Sequence, residues 1–134
     1  ERLIENTHES VKLTLDTGHM LFAKGDSKYI LQNYYERILH VHCKDIRKQV
    51  LEKSLKEDLS FRGAFLEGAF TVPGDGCIDY QPLFNVLKNN NYSGWLVVEA
   101  EQDPAKANPL EYAKIGYNYL TDTLKKSEIE IYKN

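Results

Sequence analysis

Three short apolar segments of this chain each end in residues of the types that bind metal ions. They are residues 13–19, 40–45 and 95–101. Hydrophobic runs of this length, separated by helical patterns, are typical of buried parallel strands. In an α/β barrel the reactive side chains lie at the carboxyl ends of such strands. The threefold recurrence therefore predicts an α/β fold with a metal site where its strands end.

Composition and charge narrow the classes of function. The chain has 134 residues and a formal net charge of −3, so it lacks the basic surface typical of nucleic-acid-binding proteins. No run of about 18 apolar residues predicts a membrane span. Its two cysteines, Cys43 and Cys77, have no CxxC spacing and predict neither a disulfide framework nor a zinc knuckle. A reducing cytoplasm is the expected location.

The beginning of the chain does not read as the start of a domain. It has no initiator Met, and residues 1–4 are typical of the middle or end of a helix that lacks its N-cap. We therefore expect this chain to be the carboxyl-terminal part of a longer protein.

The remaining pattern alternates between strands and helices. Strands are predicted at 11–16, 38–43, 70–72 and 96–99, and helices at 26–37, 46–58, 60–67, 80–89 and 109–125, with Asp26 and Asp79 as N-caps. This order predicts four βα units with parallel strands, the carboxyl-terminal half of a (β/α)8 TIM barrel. Residues 1–125 would form the partial barrel and residues 126–134 a tail. An open flavodoxin-like sheet is the alternative, but the ligand-type residues favour the barrel.

Strand alternation gives each strand one apolar and one polar face. In the second strand, Val41 and Cys43 point one way, towards covering helices, while His40 points the other way. By the same alternation, polar side chains near the ends of the three strands share one face of the sheet. They are Asp16, His42, Lys44, Glu99 and Glu101. This arrangement fits a barrel whose interior polar residues converge on a pocket at one mouth.

An Asp, a His and a Glu that converge are a competent set of metal ligands. Asp16, His42 and Glu99 offer oxygen and nitrogen donors without thiolate, which favours Mn²⁺ or Co²⁺. Each also has a simpler interpretation. Asp16 could form a turn, His42 could be a hydrogen-bonded core residue, and Glu99 could be a solvated strand end. Their shared phase favours the metal site.

Four stretches of the sequence resemble the xylose-isomerase-like TIM-barrel superfamily of sugar isomerases and epimerases. They are residues 15–19, 40–47, 70–76 and 94–104. In that superfamily a Glu, an Asp, a His and a second Glu from four strands hold the metal. The resemblance assigns the last three of these roles to Asp16, His42 and Glu99, and it implies that the first Glu precedes residue 1.

The resemblance also implies substrate contacts. His19 is expected to face substrate hydroxyls, and Arg47 to bind substrate. Asp75, in the loop of residues 73–76, is a further candidate contact, against a turn-stabilising role. Lys44 could bind a substrate oxygen or form a structural salt bridge. Members of the superfamily closest to this chain are associated with glutathione, although no thiol-binding feature is evident in the sequence.

Residues 72–76 and 99–104 are most similar to a branch of the superfamily that dehydrates a keto-cyclitol in inositol catabolism. Its substrate is 2-keto-myo-inositol (scyllo-inosose), which loses water to give a trihydroxycyclohexane dione. A base must remove the proton beside the ketone, and an acid must protonate the leaving hydroxyl. His19 and Glu101 are the candidates for these transfers.

Other functions remain open at this point. A sugar isomerase or epimerase would use the same metal site and the same proton abstraction. An endonuclease for damaged DNA is disfavoured by the slightly acidic charge. The chain could also be an inactive half barrel, or one that pairs with its missing N-terminal half or with another copy, since its first strand would leave an exposed edge.

Overall fold

The computed structural model describes residues 1–132, in which helices and strands alternate along the chain. The elements are α1 (Arg2–Glu5), β1 (Leu13–Asp16), α2 (Thr17–Phe22), α3 (Ser27–Tyr34), a 3-10 turn (Tyr35–Arg37), β2 (Ile38–Cys43), β3 (Asp45–Ile46), α4 (Lys48–Lys56), α5 (Phe61–Leu66), β4 (Phe70–Thr71), α6 (Gln81–Asn89), β5 (Trp95–Val98) and α7 (Pro109–Lys126).

The main sheet has three parallel strands in the order β1-β2-β5. Its register places Asp16 opposite His42, and His42 opposite Val97, so the carboxyl ends of the three strands meet at one edge. Parallel strands connected by helices confirm the α/β class and are consistent with a partial barrel.

One predicted strand does not join this parallel sheet. The segment at 70–72 forms the two-residue strand β4, which pairs antiparallel with β3. It is followed by Pro73, whose missing N–H cannot continue a ladder. The described residues therefore contain three parallel strands in the main sheet rather than four, and β3 and β4 form a separate antiparallel pair.

Local sequence signals predicted some helix boundaries correctly and others incorrectly. The Asp26 side chain accepts a hydrogen bond from Tyr29 N, so α3 starts where the predicted N-cap placed it. Helix α4 starts at Lys48 rather than at residue 46, because β3 occupies residues 45–46. Helix α2 was not predicted, since Thr17-Gly18 after an Asp is typical of a turn.

The core lies between the sheet and the helices α3, α6 and α7. Val41 and Cys43 are buried on the covered face of β2, which confirms Cys43 as a small core residue. The other fully packed members are Leu15, Leu31, Ile38, Tyr80, Leu83, Phe84, Val86, Leu87, Leu120 and Leu124. Four of these residues, Leu83, Phe84, Val86 and Leu87, lie on one face of α6.

The predicted boundary between domain and tail falls at the end of α7. Ser127, just beyond that helix, is buried and accepts a hydrogen bond from Gln81, and Ile129 packs against the core. The division at residue 125 stays a prediction, and residues 133 and 134 lie outside the described part of the chain. Among residues 1–132, none of the helices combines the length and apolar character that a bilayer span requires.

Candidate metal centre

Three predicted metal ligands converge at the carboxyl edge of the parallel sheet. Asp16 is the last residue of β1, His42 lies near the end of β2, and Glu99 directly follows β5. One ligand atom from each residue lies within 4.8 Å of the ligand atoms of the other two. Because the strands are parallel and in register, residues more than 80 positions apart along the chain meet here, and the structure brings the predicted triad together.

Asp16 uses its two carboxylate oxygens differently. Oδ1 accepts a hydrogen bond from His19 N at 2.8 Å, which caps α2 and fixes the side-chain rotamer. Oδ2 is left facing the cluster, 3.8 Å from His42 Nδ1 and 3.3 Å from Lys44 Nζ. The cap therefore aims one oxygen at the place where a metal ion would bind.

Glu99 brings a buried oxygen without a well-formed hydrogen bond. Its Oε2 lies 3.1 Å from His42 Nδ1 and 3.0 Å from Lys44 Nζ, but neither contact has the angles of a hydrogen bond. Leaving a charged oxygen desolvated and unsatisfied is costly. The Lys44 ammonium offsets part of that cost, and a cation between Glu99, His42 and Asp16 would offset more of it.

Lys44 is completely buried at the centre of the acidic cluster. Its Nζ lies 3.0 Å from Glu99 Oε2, 3.2 Å from Glu101 Oε2 and 3.3 Å from Asp16 Oδ2. Burial alone would lower the pKa of Lys44, but the neighbouring carboxylates of Glu99, Asp16 and Glu101 outweigh it and raise the pKa. Lys44 is therefore a cation that forms salt bridges here, which was one of the two roles left open by the sequence.

The backbone of Lys44 is held by residues that the sequence did not single out. Thr17 Oγ1 donates a hydrogen bond to Lys44 O at 2.7 Å, and Tyr80 Oη donates to the same oxygen at 2.9 Å. Gly18 leaves room for the Lys44 stem, since a Cβ at this position would lie 2.7 Å from Lys44 Cγ. The Thr17-Gly18 pair directly after Asp16 was the one sequence signal for this support of Lys44. Tyr80 gave no signal, because it resembles an ordinary aromatic core residue.

The charges of the cluster fit a divalent cation. Asp16, Glu99 and Glu101 bring three carboxylates, and Lys44 brings one positive charge within 3.3 Å of each of them. With neutral histidines the cluster is left with an excess of two negative charges. Oxygen and imidazole donors without thiolate suit Mn²⁺, Co²⁺ or Mg²⁺. The residues present therefore fit the metal that the sequence predicted.

His19 and Glu101 form a second pair beside the triad. His19 Nε2 lies 3.0 Å from Glu101 Oε2 and 3.0 Å from Lys44 Nζ. Burial alone would raise the pKa of Glu101, but His19 and Lys44 outweigh it and lower the pKa. The edge of the imidazole also contacts the rings of Phe61 and Phe70, with centroids 5.5 and 5.3 Å away. His19 thus lies between a charged group and an aromatic wall.

The remaining two predicted substrate contacts bind each other. Arg47 Nη2 donates a hydrogen bond to Asp75 Oδ2 at 2.7 Å, and Arg47 Nη1 donates to Gly68 O at 2.7 Å. Both side chains keep about a third of their surface exposed. The structure therefore places Arg47 and Asp75 together, in a pair distinct from the triad.

Asp45 is a buried acid that sequence reasoning missed. Its Oδ1 accepts hydrogen bonds from three backbone N–H groups, those of Ile46 at 2.7 Å and of Cys77 and Ile78 at 2.9 Å. Burial raises its pKa, although these N–H groups act in the opposite direction. Asp45 ties the loop after β4 to the segment that carries Lys44.

Comparison with known proteins identifies the family to which this chain belongs. The family model described as "Xylose isomerase-like TIM barrel" matches residues 1–123. Over 123 residues the chain is 53% identical to the inosose dehydratase of Clostridium beijerinckii, covering 91% of this chain and 41% of that protein. It is 50% identical over 125 residues to the inosose dehydratase of Bacillus velezensis, covering 92% of this chain and 42% of that protein. The inosose dehydratase of Lactiplantibacillus plantarum is 48% identical over 125 residues, with the same two coverages. The chain thus spans about two fifths of the length of these curated relatives.

Proposed function

We propose that this chain, which belongs to the xylose isomerase-like TIM barrel family, carries part of the active site of a metal-dependent dehydratase acting on scyllo-inosose. The observation that carries the proposal is the convergence of Asp16, His42 and Glu99 beside the His19–Glu101 pair. The dehydratase activity is supported by relatives named inosose dehydratase that are about half identical to this chain.

Asp16, His42 and Glu99 are the proposed metal ligands, with Mn²⁺ or Co²⁺ as the preferred ion. The bound ion would act as a Lewis acid that polarises the substrate ketone and favours loss of the neighbouring proton. The resemblance implies one further Glu ligand, which we expect on a strand outside the described residues. The unsatisfied Oε2 of Glu99 supports this ligand set independently of the resemblance.

His19 and Glu101 are the proposed proton-transfer groups. One of them removes the hydrogen from the carbon beside the ketone, and the other protonates the hydroxyl on the next carbon, which leaves as water. The resulting enol then becomes the second ketone of the dione. At 3.0 Å, His19 Nε2 and Glu101 Oε2 are close enough for one proton to pass between them, so the pair can restore itself after each turnover.

Lys44, Arg47 and Asp75 complete the proposed substrate site, together with His19. Lys44 would hold the acidic cluster together, because its ammonium is completely buried among three carboxylates. Arg47 and Asp75 are partly exposed and offer donors and acceptors for ring hydroxyls. Glutathione enters the proposal through the resemblance alone, and a cytoplasmic location agrees with the free thiols of Cys43 and Cys77.

The proposed partner is the remainder of a barrel. Within the described residues, β1 and β5 each pair only with β2, so both outer edges of the main sheet have unpaired backbone groups. Trp95, on β5, has 64% of its surface exposed. We propose that further strands, from an N-terminal half or from a second copy of the chain, pair with these edges and complete the pocket.

Turnover of scyllo-inosose tests the function directly. The assay follows the ultraviolet absorbance of the dione, with chelator and then with added Mn²⁺ or Co²⁺. It is run on this chain and on a chimera in which this chain replaces the corresponding part of the Clostridium beijerinckii relative. We expect metal-dependent turnover in the chimera, and its loss in the Glu99→Gln variant of the chimera.

Two outcomes would revise the proposal. A folded chimera that binds Mn²⁺ but does not dehydrate scyllo-inosose would contradict the dehydratase. In that case epimerisation or isomerisation of keto-sugars by the same protein would identify the alternative activity. Turnover that survives both chelation and the Glu99→Gln change would contradict the metal site.

A further inference from the structure

A chain of hydrogen bonds connects the Arg47–Asp75 pair to the segment that follows β5. Gln102 Nε2 donates to Thr71 Oγ1 at 3.1 Å, and Thr71 Oγ1 donates to Asp75 Oδ2 at 2.6 Å. The same Asp75 oxygen accepts from Arg47 Nη2 at 2.7 Å. The Thr71–Asp75 bond spans only four residues, whereas the other two bonds span 28 and 31 residues, so this series of bonds links three parts of the fold.

Thr71 is the centre of this link. It lies in β4 and is completely buried, and its backbone is fixed by pairing with Asp45. Its hydroxyl accepts from an amide and donates to a carboxylate, so both of its hydrogen-bonding capacities are used. A buried hydroxyl in that arrangement has one orientation, and the position of Gln102 is therefore coupled to that of Asp75.

The segment at the other end of the link carries two groups of the proposed active site. Residues 99–102 lie outside regular secondary structure and include Glu99 and Glu101. At the start of the segment, Glu99 N donates to Cys43 O across 3.5 Å, which is a long contact. The bond from the Gln102 side chain to buried Thr71 is a shorter attachment for the same segment.

We propose that Thr71 and Gln102 are positioning residues that hold the segment bearing Glu99 and Glu101 in place and couple it to the Arg47–Asp75 pair. This inference rests on the proposed metal site. Substrate hydroxyls that reach Arg47 or Asp75 would thereby influence the geometry of a metal ligand. Neither Thr71 nor Gln102 is among the proposed metal ligands, so their effect would be exerted through Glu99.

Mn²⁺ binding to a series of variants tests the link. Thr71→Val removes the hydroxyl at nearly constant volume, Thr71→Ser retains it, and Gln102→Leu removes the donor. Thr123→Val is the matched control, because Thr123 is also buried but its hydroxyl donates to Tyr119 O in α7. Affinity is measured by electron paramagnetic resonance titration of free Mn²⁺, after circular dichroism has shown that each variant is folded.

We expect Thr71→Val and Gln102→Leu each to weaken Mn²⁺ binding about three- to tenfold, less than the loss usual for groups that bond a ligand directly. Thr71→Ser should restore the affinity, and Thr123→Val should leave it unchanged. The double variant of Thr71→Val and Gln102→Leu should bind as the weaker single variant does, because both changes break the same bond. Gln102→Leu, at a partly exposed position, keeps the test available if Thr71→Val does not fold.

The outcomes separate the link from the site on which it depends. Wild-type affinity in both Thr71→Val and Gln102→Leu would overturn the link and leave the metal site intact. Absence of Mn²⁺ binding both by the wild-type chain and by the chimera that supplies the remaining strands would overturn the metal site and the link together. In the metal-free protein, amide resonances of Glu99 and Glu101 should shift in Thr71→Val and not in Thr123→Val, and unchanged resonances in Thr71→Val would also contradict the link.

Discussion

On one face of β2, Val41 and Cys43 pack among apolar side chains from α3 and α6, and burial there involves no charge. On the other face, His42 lies among carboxylates that would repel one another without Lys44. The first face contributes stability in proportion to the area it removes from water. The second concentrates like charges and desolvates them, which opposes folding. Alternation along a single strand thus separates the groups that hold the fold together from those that bind and react.

The largest effect on stability is expected on the apolar face. Phe84, in α6, is 1% exposed and packs against Tyr80 with ring centroids 5.7 Å apart. Phe84→Ala should lower the free energy of unfolding by about 3–5 kcal/mol, because it removes buried area and leaves a cavity. Urea unfolding followed by circular dichroism measures this. Leu110→Ala, at a position 64% exposed, is the control and should stay within about 0.5 kcal/mol of wild type. A loss below about 1 kcal/mol for Phe84→Ala would contradict the assignment of this core.

Lys44→Met should make the stability of the fold depend on the metal ion. Removing the buried cation leaves three carboxylates close together, but each is partly exposed and can regain water, so we expect a loss of about 2–3 kcal/mol in the presence of chelator. Added Mn²⁺ should recover part of this loss by supplying positive charge. Lys48→Met, at a side chain 73% exposed, is the control. If added Mn²⁺ leaves the free energy of unfolding of the Lys44→Met protein unchanged, the charge balance proposed for the cluster is contradicted.

The smallest effect is expected at Asp45, whose charge is buried away from the triad. Because burial raises its pKa, the folded chain holds this proton more tightly than the unfolded chain does. The resulting stability is present at low pH and is lost as pH rises through the folded pKa. Asp45→Asn stays neutral, so its stability relative to wild type should rise between pH 4 and pH 7, by less than about 2 kcal/mol. A difference that does not change with pH would show that Asp45 has an ordinary pKa.

Much of the fold could be predicted from local sequence because its signals are local. The apolar run at residues 38–43 gave β2 with the observed bounds, and Asp26 marked the start of α3. The strand at 70–72 was assigned to the parallel sheet, but its pairing is decided by β3, which is only two residues long. Such a pairing depends on distant residues, which a propensity pattern does not include.

The convergence of Asp16, His42 and Glu99 could also be predicted, since strand phase and the resemblance indicated the same three residues. The environment of Lys44 could not. Its complete burial depends on Glu99 and Glu101 from the segment after β5, and on Thr17 and Tyr80 from two helical regions. The link through Thr71 was hidden for the same reason, because a single Thr in a short strand gives no sign of what its hydroxyl contacts.

The central claim is that Asp16, His42 and Glu99 bind one divalent metal ion. Titration with Mn²⁺, followed by electron paramagnetic resonance, compares the chimera described above with its Glu99→Gln variant and with its Glu128→Gln variant, which changes an exposed acid paired with Lys88. The account predicts about one Mn²⁺ per chain, removable by chelator, with binding weakened more than about tenfold in Glu99→Gln and unchanged in Glu128→Gln. Equal binding by all three proteins would contradict it.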